Sequence, residues 1–165
     1  MQSTPVNIRV AMPSDTQGIL DLILPIQREE FGVAITAADQ PDLLEILSFY
    51  HVGNGGFWVA TAGNRIVGTI GLKDIGNAQG ALRKMFVAAD YRGKEHGVAS
   101  RLLKTLLEHA HGQALTYIFL GTTDKFLAAH RFYEKNGFVE IAKADLPPAF
   151  PVMAVDTRFY VGDLT

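Results

Sequence analysis

Three turn sequences divide the middle of the chain into closely spaced extended segments. They are Gly-Asn-Gly-Gly at residues 53–56, Gly-Asn at 63–64 and Gly-Asn at 76–77. The segments that follow these turns, residues 57–61, 66–72 and 81–87, are largely apolar. Short turns of this type join neighbouring antiparallel strands, so the pattern predicts three consecutive strands in one sheet.

The third of these strands departs from regular alternation. Its apolar side chains fall at Leu82, Met85 and Val87. A step of three places breaks the period of two that a regular strand requires. We therefore predict a β-bulge between Leu82 and Met85.

Apolar spacing and end signals predict the other elements. The predicted helices span residues 13–30, 40–47, 97–111 and 126–136, and the remaining strands span 6–11, 115–120, 138–142 and 152–160. Pro25 is expected to kink or end the first helix, and Gly137 to close the last. The order of elements predicts a single α/β or α+β domain, residues 1–165, with a central mixed sheet.

Composition excludes several classes of function. The chain has 165 residues, a formal charge of −2 and no cysteine, so disulfides, thiolate metal sites and a cysteine acyl-enzyme are excluded. There is no basic excess of the kind that nucleic-acid binding leaves, and no apolar run long enough for a membrane span. No signal peptide is visible, so we expect a cytoplasmic protein. The histidine spacing predicts no metal site.

The loop before the third predicted helix reads Tyr-Arg-Gly-Lys-Glu-His-Gly over residues 91–97. A helix N-terminus presents unpaired N–H groups, and a glycine before it lets an anion approach the backbone. Pyrophosphate is commonly bound in this way, and Arg92 and Lys94 would add attraction. An ordinary strand–helix turn is the alternative interpretation.

This loop resembles the coenzyme A motif of the GCN5-related N-acetyltransferase (GNAT) family, Gln/Arg-x-x-Gly-x-Gly/Ala followed by paired leucines. Two registers fit. With Arg92 as the basic residue, Glu95 stands at the first glycine position and Gly97 at the last. With Lys94 as the basic residue, Gly97 and Ala99 take the small positions and residues 102–103 supply the leucine pair. The second register is preferred.

Two neighbouring segments extend the resemblance. Residues 82–87 (Leu-Arg-Lys-Met-Phe-Val) are similar to the family's splayed, bulged strand. Residues 128–138 resemble its second motif, Asn-x-x-Ala-x-x-x-Tyr-x-x-x-Gly-Phe, with Phe126 in place of the asparagine. The matching positions are Ala129, Tyr133, Gly137 and Phe138. The resemblance implies a mixed, mostly antiparallel sheet of six to seven strands flanked by about four helices, with the bulged strand at 81–87.

The resemblance also implies a function. The chain is expected to bind acetyl-coenzyme A and, without a metal, to transfer the acetyl group directly to an amine of a small molecule or peptide in a ternary complex. Tyr133 would be the general acid, and a backbone N–H near Phe86 would stabilise the oxyanion. The residues expected to contact the cofactor are Met85, Phe86, Val87, Arg92, Gly93, Lys94, Glu95, His96, Gly97, Val98, Ala99, Ser100, Phe126 and Ala129.

The acceptor side and the general base are less constrained. By family analogy the acceptor lies near residues 28–36, where Glu29 and Glu30 could attract an amine and Phe31 could form an apolar wall. A charged helix end followed by a buried anchor is the alternative. Many family members carry a glutamate where this chain has Ala81. The remaining base candidates are Glu29, Glu30, His51, Asp74 and His130.

Two further alternatives stay open. A domain that senses acyl-coenzyme A without turnover would also fit the motifs, and the missing strand glutamate and Phe126 favour it. Members of the family often pair through their C-terminal strands, so a homodimer is a second expectation.

Overall fold

In the computed structural model, which describes residues 5–93, 96–124 and 127–165, seven strands form one central sheet. They are β1 (Val6–Val10), β2 (Gly56–Ala62), β3 (Arg65–Gly76), β4 (Gln79–Val87), β5 (Tyr117–Thr122), β6 (Val139–Ile141) and β7 (Arg158–Asp163). Their order is β1-β2-β3-β4-β5-β7-β6, and all neighbours are antiparallel except β4 and β5. The expected mixed, mostly antiparallel sheet is confirmed.

Five α-helices lie in the described ranges. They are α1 (Thr16–Pro25), α2 (Pro41–Leu44), α3 (Ile46–Phe49), α4 (Val98–Gly112) and α5 (Leu127–Lys135). A π-helical turn, Ile26–Glu30, continues α1 directly after Pro25, whose nitrogen cannot donate an α-helical hydrogen bond. The helix predicted over residues 40–47 is split at Glu45, whose φ of −131° and ψ of 54° are not helical.

The two faces of the sheet bury different helices. In β2, Trp58 and Ala60 belong to the core that contains α4, whereas Phe57 and Val59 pack with α1, α2 and α3. This alternation is what a strand covered on both faces requires. Gly68 of β3 allows close packing of α4, because a Cβ there would lie 2.9 Å from Leu102 Cδ1.

Two predicted strands begin later than the sequence pattern indicates. Residue 115 was expected to open a strand, but β5 starts at Tyr117 because Leu115 closes α4. Ala114 has a φ of 58°, and the Leu115 N–H donates to the Ala110 carbonyl, as in a Schellman motif. The strand expected from residue 152 begins at Arg158, because Asp156 accepts a hydrogen bond from the Met153 N–H and closes a turn before it.

The ends of α5 follow the sequence signals more closely. Gly137 has a φ of 91°, and the Phe138 N–H donates to the Tyr133 carbonyl. The helix end predicted at Gly137 is confirmed. None of the helices in the described ranges has the length and apolar character needed to span a bilayer.

The packing of α4 on β3 gives a test of the fold. Leu102 is fully buried, so Leu102→Ala removes packed atoms that the surroundings cannot replace. We expect the free energy of unfolding to fall by about 2–5 kcal/mol. Urea unfolding followed by circular dichroism measures this as a lower midpoint with an unchanged slope. Leu47→Ala, at a leucine that is 52% exposed, should change it by less than about 0.5 kcal/mol. Equal losses in the two variants would contradict this view of the core.

Candidate functional site

The strands β4 and β5 separate partway along their length. They pair only between residues 79–81 and 117–119, although β4 continues to Val87 and β5 to Thr122. Beyond this pairing neither strand has the other as a hydrogen-bonding partner, so alternate N–H and C=O groups on this edge of β4 can meet a ligand. We call this opening the β4–β5 gap. Met85, Phe86 and Val87 lie along it and are partly buried against the core.

A bulge bends β4 beside the gap. Positions 69 and 71 of β3 pair with positions 86 and 83 of β4, so β4 carries one extra residue there. Lys84 has a φ of 54°, and the Thr69 hydroxyl donates to the Lys84 carbonyl oxygen at 2.7 Å. The bulge predicted between Leu82 and Met85 is confirmed.

The N-terminus of α4 has the backbone geometry of an anion site. Gly97 before it is left-handed, with a φ of 60° and a ψ of 26°, and no side chain caps the helix. The N–H groups of the first helical turn therefore have no intrahelical partner. The Val98 side chain is buried in the core and anchors this turn, whereas Ala99 is half-buried and Ser100 exposed.

The loop before α4 is described only in part. Gly93 is exposed with a φ of 99°, and the ring of His96 lies 4.7 Å from that of Tyr91. Lys94 and Glu95, and the predicted contact residue Phe126, lie outside the described residues. The choice between the two registers of the motif therefore stays a prediction.

Arg92 is already engaged by protein groups. Its terminal nitrogens bind both oxygens of Glu30, at 2.6 and 3.0 Å, and its Nε donates to the Val87 carbonyl oxygen. These contacts tie the loop before α4 to the π-helical turn after α1 and to the end of β4. In this arrangement Arg92 positions the loop, and Glu30 is a partner of Arg92 and not a free carboxylate facing an acceptor.

Tyr133 points from α5 towards the bulged part of β4. Its side chain is buried, and its hydroxyl lies 3.7 Å from the Met85 sulfur, which is a weak acceptor. Burial raises the pKa of Tyr133 above its ordinary value. The hydroxyl therefore stays protonated at neutral pH and can act as a donor beside the gap. Ala129, one turn earlier, is half-buried against the same core.

His130 has a structural role. Its Nδ1 accepts a hydrogen bond from Arg158, since a guanidinium can only donate, so its proton must lie on Nε2. The Nε2–H donates to the Thr123 carbonyl oxygen at 2.8 Å. Both ring nitrogens are thus occupied by the protein, and His130 is not arranged as a general base.

The other base candidates are dispersed. Asp74 accepts hydrogen bonds from the N–H groups of Asn54 and Gly76 and so holds two turns. The Nε2 of His51 is buried without a hydrogen-bonding partner, and burial lowers the His51 pKa, with a smaller contribution from the charge of His109. Glu29 is exposed. None of these side chains is brought together with Tyr133.

Phe31 is the one acceptor-side candidate that contacts the bulged strand. Its ring lies 5.9 Å from that of Phe86, which fits the expected apolar wall beside the gap. In the described ranges, no group of three or more acidic or histidine side chains is arranged to hold a metal ion.

Sequence reasoning missed a buried polar cluster on the face of β4 that α2 and α3 cover. Asp42 accepts a hydrogen bond from the Tyr50 hydroxyl at 2.5 Å, and Arg83 Nε donates to the same hydroxyl at 3.2 Å. Lys84 Nζ donates to Gln40 Oε1 at 2.7 Å. The two adjacent cations within the otherwise apolar residues 81–87 were the signal of this cluster in the sequence, and their partners could not be read from it.

Charged groups in this region have shifted pKa values. Burial lowers the Lys84 pKa, although the nearby Asp42 carboxylate opposes the shift. Burial raises the Asp156 pKa, against the Met153 N–H and the charges of Arg83 and Lys84. Each shift reflects the cost of keeping the charged form away from water.

Comparisons with known proteins agree on one family. A family model described as "Acetyltransferase (GNAT) family" matches residues 20–138. A crystal structure of a GNAT-family acetyltransferase from Staphylococcus aureus Mu50 is 41% identical with a TM-score of 0.92, covering 97% of this chain and 99% of that one.

Curated relatives carry related names. The probable N-acetyltransferase family 8 member 5 of Mus musculus is 33% identical over 130 residues, which is 76% of this chain and 56% of the relative. The N-acetylaspartate synthetase of Xenopus tropicalis is 35% identical over 111 residues, which is 65% of this chain and 40% of the relative. The chain thus spans about half the length of the curated relatives that it matches.

The buried position of Lys84 predicts a pH-dependent stability. Because burial lowers its pKa in the folded protein, the unfolded chain binds the Lys84 proton more tightly. The contribution of Lys84 to the free energy of unfolding therefore rises as the pH increases from its folded pKa towards about 10.4, the ordinary lysine value. The test is urea unfolding of the wild type and of Lys84→Met between about pH 7 and pH 10. The free energy of unfolding of the wild type should increase relative to that of Lys84→Met as the pH rises.

Lys104→Met is the matched control, because the Lys104 side chain is 78% exposed. Because solvent screens an exposed charge, the Lys104→Met difference in the free energy of unfolding should change less with pH than the Lys84→Met difference. If the two differences change equally with pH, burial does not lower the pKa of Lys84.

Proposed function

The chain belongs to the acetyltransferase (GNAT) family, and we propose from this that it binds acetyl-coenzyme A and transfers the acetyl group directly to an amine of a small molecule or peptide. The observation that carries the proposal is the gap between β4 and β5, which opens at a bulge and has the Tyr133 hydroxyl beside it. An extended thioester arm would fit an unpaired strand edge, and the Tyr133 hydroxyl beside the gap would be the donor to its departing sulfur.

The residues present fit the cofactor in two places. Amide groups of the pantetheine arm would pair with the free edge of β4 at Met85, Phe86 and Val87, as an added strand pairs with a sheet edge. The pyrophosphate would meet the N–H groups from Gly97 to Ser100, where the helix start carries partial positive charge. Arg92 supports this site by fixing the loop.

The transfer needs four events. The acceptor must lose one proton to solvent, because only a neutral amine can attack. Its nitrogen then forms a bond to the thioester carbon, and the oxyanion is held by a backbone N–H near Phe86. The carbon–sulfur bond breaks, and the thiolate takes a proton from Tyr133. The nitrogen releases its second proton to solvent, and Tyr133 regains a proton from solvent.

The buried environment of Tyr133 affects both its own pKa and the stability of the departing thiolate. A free thiol has a pKa near 8.5 and tyrosine one near 10, so proton transfer in water would be uphill. Burial raises the pKa of Tyr133, but a thiolate leaving into the same apolar surroundings is penalised by the same desolvation. A hydrogen bond from Tyr133 therefore stabilises the departing sulfur as its charge develops.

The function can be tested by thiol release. Purified protein is mixed with acetyl-coenzyme A and a panel of amines, amino acids and peptides, and free thiol is followed with a thiol reagent. The chain contains no cysteine, so the protein gives no background signal. We expect turnover with at least one amine, and a Tm that rises with coenzyme A concentration. Stabilisation by coenzyme A without turnover would favour the sensor alternative, and no stabilisation at millimolar coenzyme A would refute the cofactor assignment.

Tyr133→Phe tests the acid. The variant removes only a hydroxyl whose described partner is a methionine sulfur, so the fold and coenzyme A binding should persist. We expect kcat to fall by about 10²–10⁴-fold, with the thermal shift caused by coenzyme A unchanged. Tyr117→Phe, on β5, is the control and should keep its kcat. An unchanged kcat in Tyr133→Phe would exclude Tyr133 as the proton donor.

A further inference from the structure

The bulge in β4 places two cations on one face of the strand. Arg83 Nη2 lies 3.7 Å and Lys84 Nζ lies 3.9 Å from the same Asp42 oxygen. Consecutive residues of a regular strand point to opposite faces, whereas a bulge redirects one of them. Both positive groups therefore stand together on the face that α2 and α3 cover.

Within the described residues, Arg83 lacks the two-point carboxylate contact that four other arginines have. Four arginines each hold both oxygens of one carboxylate: Arg9 with Asp15, Arg65 with Asp90, Arg92 with Glu30 and Arg158 with Glu140. The terminal nitrogens of Arg83 instead meet the Pro151 carbonyl at 3.5 Å, the Met153 sulfur at 3.8 and 3.9 Å and a single Asp42 oxygen at 3.7 Å. Its side chain is only 10% exposed, so a strongly buried guanidinium fork has one distant carboxylate oxygen and two weak partners.

The Lys84 ammonium group also has fewer hydrogen-bond acceptors than it has donors. Its side chain is 7% exposed, and among the described residues it donates to one acceptor within hydrogen-bond distance, Gln40 Oε1, while the Asp42 carboxylate lies at 3.9 Å. The amides of Gln40 and Gln27 hold each other at 2.9 and 3.1 Å and fix that acceptor. An ammonium group has three donors, so Lys84 can bind a further anionic group beside Arg83.

Asp156 provides a negative group on the other side of the β4–β5 gap. Its Oδ2 accepts the Met153 N–H at 2.9 Å and lies against Gly121 of β5, where a Cβ would be only 2.6 Å away. Arg83 and Lys84 both act on its charge, yet neither forms an ion pair with it within 4.0 Å. The cations stand on the β4 side and the carboxylate on the β5 side.

We propose that the acceptor is an amino acid, or another small amine with a carboxylate, and that Arg83 and Lys84 bind its carboxylate while Asp156 binds its ammonium group. The inference rests on the proposed function, because it is that function which brings an amine to the thioester beside the gap. The guanidinium fork of Arg83 matches a carboxylate in two-point contact, and the Met153 sulfur is a weak partner that a carboxylate can replace.

The balance of charge supports this acceptor class over a polyamine. Arg83 and Lys84 are matched by Asp42 and Asp156. A zwitterion adds one charge of each sign and leaves this balance unchanged. A polyamine would bring further positive charge next to two buried cations, which is unfavourable in surroundings of low polarity.

The test compares acceptors that differ only in the carboxylate. With acetyl-coenzyme A saturating, thiol release is measured for L-aspartate, L-glutamate, L-leucine, L-phenylalanine and L-lysine, each beside its α-carboxamide. We expect the best free acid to exceed its own α-carboxamide in kcat/KM by about 10²-fold, the effect of removing one partner of a buried charge pair. This comparison uses the wild-type protein and does not depend on the folding of a variant.

Variants then assign the contacts. Arg83→Gln should raise KM for the free acid by about 10²-fold, and the ratio of kcat/KM between the free acid and its carboxamide should fall towards one. Asp156→Asn keeps an oxygen for the Met153 N–H but loses the charge, and should raise KM for both members of a pair. Arg65→Gln, at a surface arginine paired with Asp90, is the control and should match the wild type. In the presence of coenzyme A, the free acid should raise the Tm of the wild type but not of Arg83→Gln.

The outcomes separate this inference from the function on which it rests. Equal kcat/KM for the free acids and their carboxamides, with clear turnover, overturns the inference and leaves the acetyltransferase function standing. Turnover with polyamines alone likewise overturns the inference and leaves the acetyltransferase function standing. Absence of turnover with every amine overturns both. A preference for free acids that survives in Arg83→Gln overturns the assignment of Arg83.

Discussion

Where β4 inserts Lys84 opposite β3, the strand bends, and three consequences follow from that one extra residue. The edge of β4 facing β5 becomes available beyond their short parallel pairing. Arg83 and Lys84 turn to one face and meet Asp42. Met85 comes next to the Tyr133 hydroxyl. The Thr69 hydroxyl, fully buried, holds the bulge through the Lys84 carbonyl. The proposed cofactor site, acceptor contacts and proton donor thus all lie next to one local distortion of the sheet.

The buried charges around the bulge tie separate parts of the chain together. Arg83 and Lys84 of β4 lie against Asp42 of α2, and Arg83 also donates to the Tyr50 hydroxyl after α3. The hydrogen bonds from Lys84 to Gln40 and between Gln40 and Gln27 extend the network to the π-helical turn after α1. Each group would be costly if it were left alone in the interior. Because every member needs its neighbour, the network fixes how the helices before β2 sit on the sheet. The same network leaves the outer nitrogens of Arg83 weakly paired, which is where the proposed acceptor contact lies.

Elements with strong local signals were predicted well. The apolar face of α4, the glycine that closes α5 and the bulge of β4 all follow from spacing within a few residues, and the structure confirms each. The errors lie where a local pattern had a competing use. Leu115 looks like the start of a strand, but it closes α4. Residues 152–157 look extended, but Asp156 folds them into a turn. Hydrophobic pattern alone does not distinguish these uses.

The sequence by itself determined the order of strands and helices, the bulge and the motifs that identify the family, because these depend on periodicity and on residues close together in the chain. Only the tertiary structure decided which charged groups meet. Arg92 binds Glu30, 62 residues away in the chain. Arg158 binds His130 over a separation of 28 residues, and Arg83 binds Tyr50 over 33. Such pairs are set by the packing of helices on the sheet, which no local pattern encodes. That packing gives protein partners to Arg92 and His130, two residues that the sequence offered as functional candidates. It also brings Asp156, which the sequence did not single out, against Gly121 of β5.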